Sequence, residues 1–387
     1  MFAKDAREAI NRNLPLLRMV DTDDFLNKIF PVKSLPRTPE DILKDLQHKF
    51  FCDLRVLIWV LYGCSMDYSH AYGKLIVHRD ISIGNVMIFP TAADPAKTRG
   101  RLMDFDHAKK ANDSRDLCAS ESPQLDVLNV QHIKHNMARL RGCCDLVVAD
   151  EVIEELFRWI PHDEALKYIK KVIDVRERHF GLDLEKLEGP LMLAHLGWDH
   201  DKIEKCPDFS TRVPRHGERT GTLPFMSADV LNEGWMWNVD SDMPPFNHDA
   251  VHDMESLLSV LTYLCLTRRG PGMHMLREEL DIGHASYDST GTGKLNQAVH
   301  TYFKAKGNNL KEAKAKLILL QVSFEERIVP LFHPDFEPLK PLVIQWFATL
   351  ILAYLHHGYE YYHIHHHVLR LLEDTYDALP IPAPATT

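Results

Sequence analysis

His78-Arg79-Asp80-Ile81-Ser82-Ile83-Gly84-Asn85 puts a carboxylate and, five residues later, a carboxamide on one short polar loop. Asp104 follows nineteen residues after Asn85, closing a short run of mixed and apolar residues. Phosphoryl transfer needs this set of groups. A carboxylate must orient an attacking hydroxyl and accept its proton, and oxygen ligands must hold magnesium on the nucleotide phosphates. Asp80 fits the first role. Asn85 and the stronger ligand Asp104 fit the second. A His-Arg-Asp triplet alone reads equally well as exposed polar residues. The added Asn85 at its offset, the flanking strand candidates and the strand-terminal Asp104 favour the chemical reading.

Several elements must position these residues. Asp53 to about Ala71 is an apolar helical stretch broken by Tyr72-Gly73. Leu75 to Val77, Val86 to Phe89 and Arg101 to Met103 are short strand candidates around the polar loop. Upstream, Pro31 to Pro39 resembles a linker. Thr38-Pro39-Glu40-Asp41 then predicts a helix start that runs to about Phe50. Downstream, Val152, Ile153, Leu156, Phe157 and Ile160 recur at helical spacing in Asp150 to Ile160, which Pro161 ends. Gly197 to Gly221 is polar and turn-rich. Val251 to Leu266 predicts a strongly apolar helix, Lys294 to Asp377 predicts several helices, and Pro380 to Thr387 predicts a flexible tail.

The composition suits one large domain or two ordinary ones: 387 residues, 45% apolar and 26% charged. A net charge of -10 with no basic block argues against nucleic acid as a partner. No signal peptide is evident in Met1 to Glu8. No uninterrupted apolar run is long enough to span a bilayer, so membrane is not an expected partner, and Leu342 to Leu355 and Val56 to Tyr62 predict buried helices. Seven scattered cysteines without a Cys-x-x-Cys pair suit reduced thiols in an intracellular protein, cytoplasmic or nuclear.

His78 to Ser82 and the turn Asp104-Phe105-Asp106 resemble the fungal-type protein kinase family, whose members carry His-Arg-Asp-Ile-Ser and Asp-Phe-Asp variants. Gly221-Thr222-Leu223-Pro224-Phe225-Met226-Ser227-Ala228-Asp229 is similar to the end of a kinase activation segment, with Asp229 in place of the usual glutamate. His252-Asp253-Met254-Glu255-Ser256 is similar to the start of the long central helix of the kinase C-lobe. The resemblance implies an α+β, protein-kinase-like fold with a mostly helical C-lobe at 41–110 and 219–375. It implies a truncated or rudimentary N-lobe and hinge at 1–40, a long helical insert in the activation segment at 111–218, and a flexible tail at 376–387. It implies ATP and Mg2+ as cofactors and a protein substrate. Asp253 would brace His78 and Arg79. Asp253 would also serve as a helix N-cap in its own right. Thr222 would contact Asp80, as in serine/threonine kinases.

The sequence departs from the kinase pattern in four places. No Gly-x-Gly-x-x-Gly or Val-Ala-Ile-Lys-like strand precedes His78. Ser82 stands where many serine/threonine kinases carry a phosphate-contacting lysine. Asp106 replaces a glycine. The interval from Asp104 to Asp229 is too long for a plain loop. The leading expectation is a serine/threonine protein kinase. Two alternatives remain open: a catalytically dead pseudokinase or C-lobe fragment used as a binding scaffold, and a small-molecule phosphotransferase of the aminoglycoside type. The histidine cluster His356, His357, His363, His365, His366 and His367 predicts a solvated helix end rather than a metal site. Cys143-Cys144 predicts inert thiols, and Asp21 to Asp24 a polar turn.

Overall fold

The computed structural model describes residues 53–89, 99–111, 113–116, 127–140, 145–200, 205–208, 221–232, 248–270 and 276–380. The N-lobe remnant expected at 1–40, the helix expected from Thr38 to Phe50, the acidic turn at Asp21 to Asp24, Cys143-Cys144 and the last seven residues lie outside them. The described chain is mostly helical with a few short antiparallel strands.

Helix α1 is Leu54–Tyr72. Asp53 caps it, its Oδ1 accepting the Val56 amide at 2.8 Å, which satisfies a donor that has no partner within the helix. Strand β1 (Ile76–Val77) follows, then β2 (Val86–Phe89), β3 (Arg99–Leu102) and β4 (Lys109–Lys110). Strand β1 pairs with β4, and β2 pairs with β3 in the register Val86 to Leu102. A one-turn 3-10 helix, Phe105–His107, joins β3 to β4.

α1 lies against β3 at a separation only glycine permits. A Cβ on Gly100 would stand 1.7 Å from the Val60 carbonyl oxygen, and one on Gly63 would stand 2.6 Å from the Gly100 carbonyl oxygen. Asp67 fastens the same contact. Its Oδ2 accepts the Leu102 amide at 3.1 Å and its Oδ1 accepts Arg101 Nη1 at 2.7 Å. The strand that delivers Asp104 is thereby fixed to a buried helix.

Strand β5 (Asp113–Asp116) precedes four helices: α2 (Val127–Leu140), α3 (Asp150–Trp159), α4 (His162–His179) and α5 (Leu193–Leu196). Val152, Leu156, Ile169, Val172, Leu196 and Trp198 form a core cluster of their own there. Strand β6 (Lys205–Asp208) returns to pair with β5.

The short helix α6 (Ala228–Leu231) and the apolar helix α7 (Ala250–Thr267) come next, followed by α8 (Lys294–Val299), α9 (Asn308–Leu319) and α10 (Gln321–Arg327). Then come α11 (Lys340–His356), α12 (Tyr359–Tyr362) and α13 (Ile364–Ala378). Helices α1, α7, α11 and α13 build the main core, with Ile58, Leu61, Met254, Leu257, Trp346 and Leu372 among its buried members. Each fully buried side chain of this size contributes about 1.5–3 kcal/mol. The segment Pro334–His356 is long and apolar enough to cross a membrane by length and composition. It is a core helix: Leu342, Val343, Trp346, Leu350 and Ala353 are buried in the main core. Ala348, Leu352 and Tyr359 join the cluster of the α2–α5 helices, so α11 and α12 are shared between the two cores.

Two expectations need correction. The expected tail at 376–387 starts too early: α13 runs to Ala378, Leu379 is buried, and its carbonyl accepts Arg55 Nη1 at 2.6 Å. The histidine cluster is not a solvated end. His363, His365 and His367 are 0%, 3% and 4% exposed. They lie on the core face of α13 and its cap, where their rings act as flat packing surfaces. His363 stacks on Tyr359 at 4.0 Å, and His200 Nε2 meets His367 Nδ1 at 3.2 Å. Burial holds His365 and His367 well below the usual histidine range, so both are neutral. Among the described residues no group of three side chains could hold a metal ion.

Candidate active site

The loop after β1 is held from beneath by one carboxylate. Asp253 is fully buried in the first turn of α7. Its Oδ2 accepts the His78 amide at 2.9 Å, and both its oxygens accept the Arg79 amide, at 3.0 and 3.3 Å. Asp253 is not the helix N-cap. That position belongs to Asp249, whose Oδ1 accepts the Ala250 amide while His252 Nδ1 accepts the Asp249 amide. Asp253 is thus available for the loop. Burial works against its charge, but His248 and the donated amides outweigh it and hold the carboxyl below the usual range. His248 Nε2 stands 3.0 Å from Asp253 Oδ1.

His78 is itself buried and locks the loop to β3. Its Nδ1 accepts the Asp80 amide at 3.3 Å, which leaves the proton on Nε2 to donate to the Met103 carbonyl at 2.7 Å. Its ring meets Phe105 edge-on at 4.6 Å. Arg79 and Asp104 have φ of +71° and +60°, in the left-handed region where side-chain-bearing residues are uncommon. Both strained positions fall in the candidate site, where such conformations cluster when the surroundings hold them.

Asp80, Asn85, Asp104 and Thr222 come together around this loop. Asp80 Oδ1 accepts the Thr222 amide at 2.8 Å and the Thr222 hydroxyl at 3.0 Å. Its second oxygen receives no hydrogen bond from the described residues. Asn85 Nδ2 donates to the Asp80 carbonyl at 2.8 Å, and Met103 donates its amide to the Asn85 carbonyl at 2.9 Å. The Asn85 side-chain oxygen therefore stays open, beside the strand end that carries Asp104. Asp104 is exposed and its carboxylate has no protein partner among the described residues. Open carboxylate and amide oxygens are the donors that a hard divalent cation takes.

Ser82 is buried beneath the loop, 4% exposed. Its carbonyl accepts the Asn85 and Val86 amides, which closes the turn that aims Asn85. Asp229 lies away from the loop, with Oδ2 3.3 Å from His252 Nε2.

Sequence reasoning missed four contributors. Gly221 has φ +129°, and a Cβ there would lie 3.0 Å from the Arg79 carbonyl oxygen; a glycine next to Thr222 was the available signal. His248 had none, since it precedes α7 in a segment without a pattern of its own. Glu255 was part of a recognised segment, but nothing marked it as a brace for the Ala228 amide. Lys314, whose Nζ donates to the Met226 carbonyl behind the Thr222 turn, had no signal at all.

The described chain is a mostly helical α+β fold, compatible with a kinase-like family. The model of the family described as fungal protein kinase matches residues 51–126 and 203–265, and in these segments the chain is similar to that family. No curated protein and no solved structure matches the chain. The matched segments contain Asp80, Asn85, Asp104, Thr222 and Asp253, and α2–α5 fall in the interval between them.

Proposed function

We propose that this chain is a serine/threonine protein kinase that transfers the γ-phosphate of ATP to a protein hydroxyl. The observation that carries the reading is Asp80, held by Thr222 on one oxygen with its other oxygen open. That open oxygen would accept a hydrogen bond from the acceptor hydroxyl, orient it, and take its proton as the phosphoryl group is transferred. Thr222 fixes the rotamer of Asp80, and the Asn85 amide fixes the backbone at Asp80. The match to the fungal protein kinase family supports the kinase class, and the paired Asp80–Thr222 contact supports a serine or threonine acceptor.

The donor set fits Mg2+. Asn85 and Asp104 would hold it, Asp104 as the charged ligand and Asn85 as a neutral one. A bound magnesium ion would supply charge neutralisation at the phosphates of ATP. Asp106 adds a nearby exposed carboxylate on the same turn. The helices α2–α5 would form an insert within the activation segment, between Asp104 and Thr222. Asp253 and His78 would act through the loop they hold rather than on the substrate.

The test is calorimetric titration of the full chain with Mg2+ and ATP. Binding that requires Mg2+ and is lost in Asp104→Ala supports the reading. Unchanged binding in Asp104→Ala contradicts it. No binding at millimolar nucleotide would favour the scaffold alternative instead.

A further inference from the structure

Two buried charged side chains, Lys314 and Glu255, lie behind the turn that carries Thr222 towards Asp80. Lys314 and Glu255 are each 5% exposed. Burying an ammonium and a carboxylate is expensive unless both are paired and hydrogen-bonded. Each of the two holds one turn, Met226 to Ala228. Lys314 Nζ donates to the Met226 carbonyl at 2.6 Å. Glu255 Oε1 accepts the Ala228 amide at 2.8 Å, and its Oε2 accepts the Tyr354 hydroxyl at 2.6 Å.

That turn leads directly to Asp80. The Met226 amide donates to the Thr222 carbonyl at 3.2 Å, and Phe225 donates to the same oxygen at 2.9 Å. Thr222 then donates twice to Asp80 Oδ1. A continuous series of hydrogen bonds thus runs from a lysine on α9 through Met226 and Thr222 to the candidate base.

We infer that Lys314 is a positioning residue for the Asp80 carboxylate, acting through the Met226 carbonyl and Thr222. The inference rests on the kinase reading only for its effect on rate; the structural coupling stands apart from it. Lys314 lies outside both segments matched by the family model. Helix α9 therefore contributes to the site although none of its residues reaches the loop. Ser227 lies between two grips, Lys314 on the peptide before it and Glu255 on the peptide after it. With both grips present Thr222 has one arrangement. Without them the turn can rotate and Asp80 Oδ1 loses two donors.

Removing Lys314 alone would strand the Glu255 charge in the core, so the test uses the charge-balanced double variant Lys314→Met/Glu255→Gln beside Lys314→Arg. Amide hydrogen exchange of the full chain is read at Thr222 and at His78. The double variant is expected to exchange about tenfold faster or more at Thr222, with His78, held separately by Asp253, unchanged. Lys314→Arg keeps the donor and is expected to keep Thr222 protected. Unchanged exchange at Thr222 in the double variant overturns the inference. So does loss of protection everywhere, because that is a general folding role. Phosphoryl transfer from ATP to dephosphorylated casein is measured in parallel, with kcat expected to fall about tenfold at an ATP KM within about twofold of wild type. A wild-type chain that transfers no phosphate counts against the kinase reading, while the exchange result still decides the coupling.

Discussion

Arg79 donates its backbone amide to both carboxylate oxygens of Asp253, a residue 174 positions later in the chain. The contact holds Arg79 at φ +71° and thereby sets the direction in which the chain reaches Asp80. A left-handed residue of this kind costs about 1–3 kcal/mol and persists only when its surroundings determine it. Here a buried carboxylate supplies that determination.

Asp253→Ala removes the acceptor of two loop amides, His78 and Arg79. Each buried donor left unsatisfied costs about 1–3 kcal/mol, so the variant is expected to lose about 2–6 kcal/mol in chemical denaturation. Asp253→Asn keeps one acceptor oxygen and is expected to fall between. A loss under about 1 kcal/mol in Asp253→Ala would show that the loop does not depend on this brace.

Gly221→Ala adds a Cβ 3.0 Å from the Arg79 carbonyl oxygen at a residue with φ +129°. The turn must shift, and Thr222 shifts with it. Transfer activity is expected to fall about tenfold or more, since small displacements of positioning groups have large rate effects. Wild-type rates in a folded Gly221→Ala protein would contradict the close packing described.

Thr222→Val keeps the amide donor to Asp80 and removes the hydroxyl donor. One charge-assisted hydrogen bond is lost, worth about 1.5–3 kcal/mol, so kcat is expected to drop about tenfold or more with little change in the KM for ATP. Phosphoamino acid analysis of the wild-type product is expected to give phosphoserine or phosphothreonine. Phosphotyrosine as the main product would contradict the acceptor assignment.

Stability is expected to fall with acid because neutral histidines are buried. His200 is held down to about 3, chiefly by burial and then by Arg370. His365 and His367 are held well below the usual value, again chiefly by burial. In the unfolded chain each takes up a proton near pH 6.5, but in the folded chain each does not, so the unfolded state binds more protons below that pH. Each such group removes about 1.4 kcal/mol of stability per pH unit as pH falls below 6.5 towards its folded value. Denaturant midpoints at pH 7 and pH 5 measure this. A midpoint that does not fall at pH 5 would show that these imidazoles are protonated or solvated in the folded chain.

Local signals in the sequence were strong where the structure is local. The apolar run from Asp53 to about Ala71, Pro161 as a stop, and the 3.6-residue pattern of Val152, Ile153, Leu156 and Phe157 all act locally, and the helices they predict are present. The residues of the candidate site were also legible, because their order along the chain carries a family pattern. The relations that make the site were not. The Asp253–Arg79 contact joins residues 174 apart, and Lys314 reaches Met226 across 88. The histidines of α13 misled for a related reason. A run of imidazoles reads as polar, but once neutral they pack as aromatic rings, and only the arrival of His200 and Tyr359 from other elements shows which occurs.

The most direct measurement compares phosphoryl transfer from γ-labelled ATP with Mg2+ by the wild-type chain and by Asp80→Asn. The side chain changes little in size, and asparagine can still accept from Thr222, so folding is expected to be retained. Loss of the general base is expected to lower transfer by about 100-fold to 10,000-fold, with the thermal midpoint nearly unchanged. Equal transfer by a folded Asp80→Asn protein would contradict the assignment of Asp80 as the residue that takes the acceptor proton.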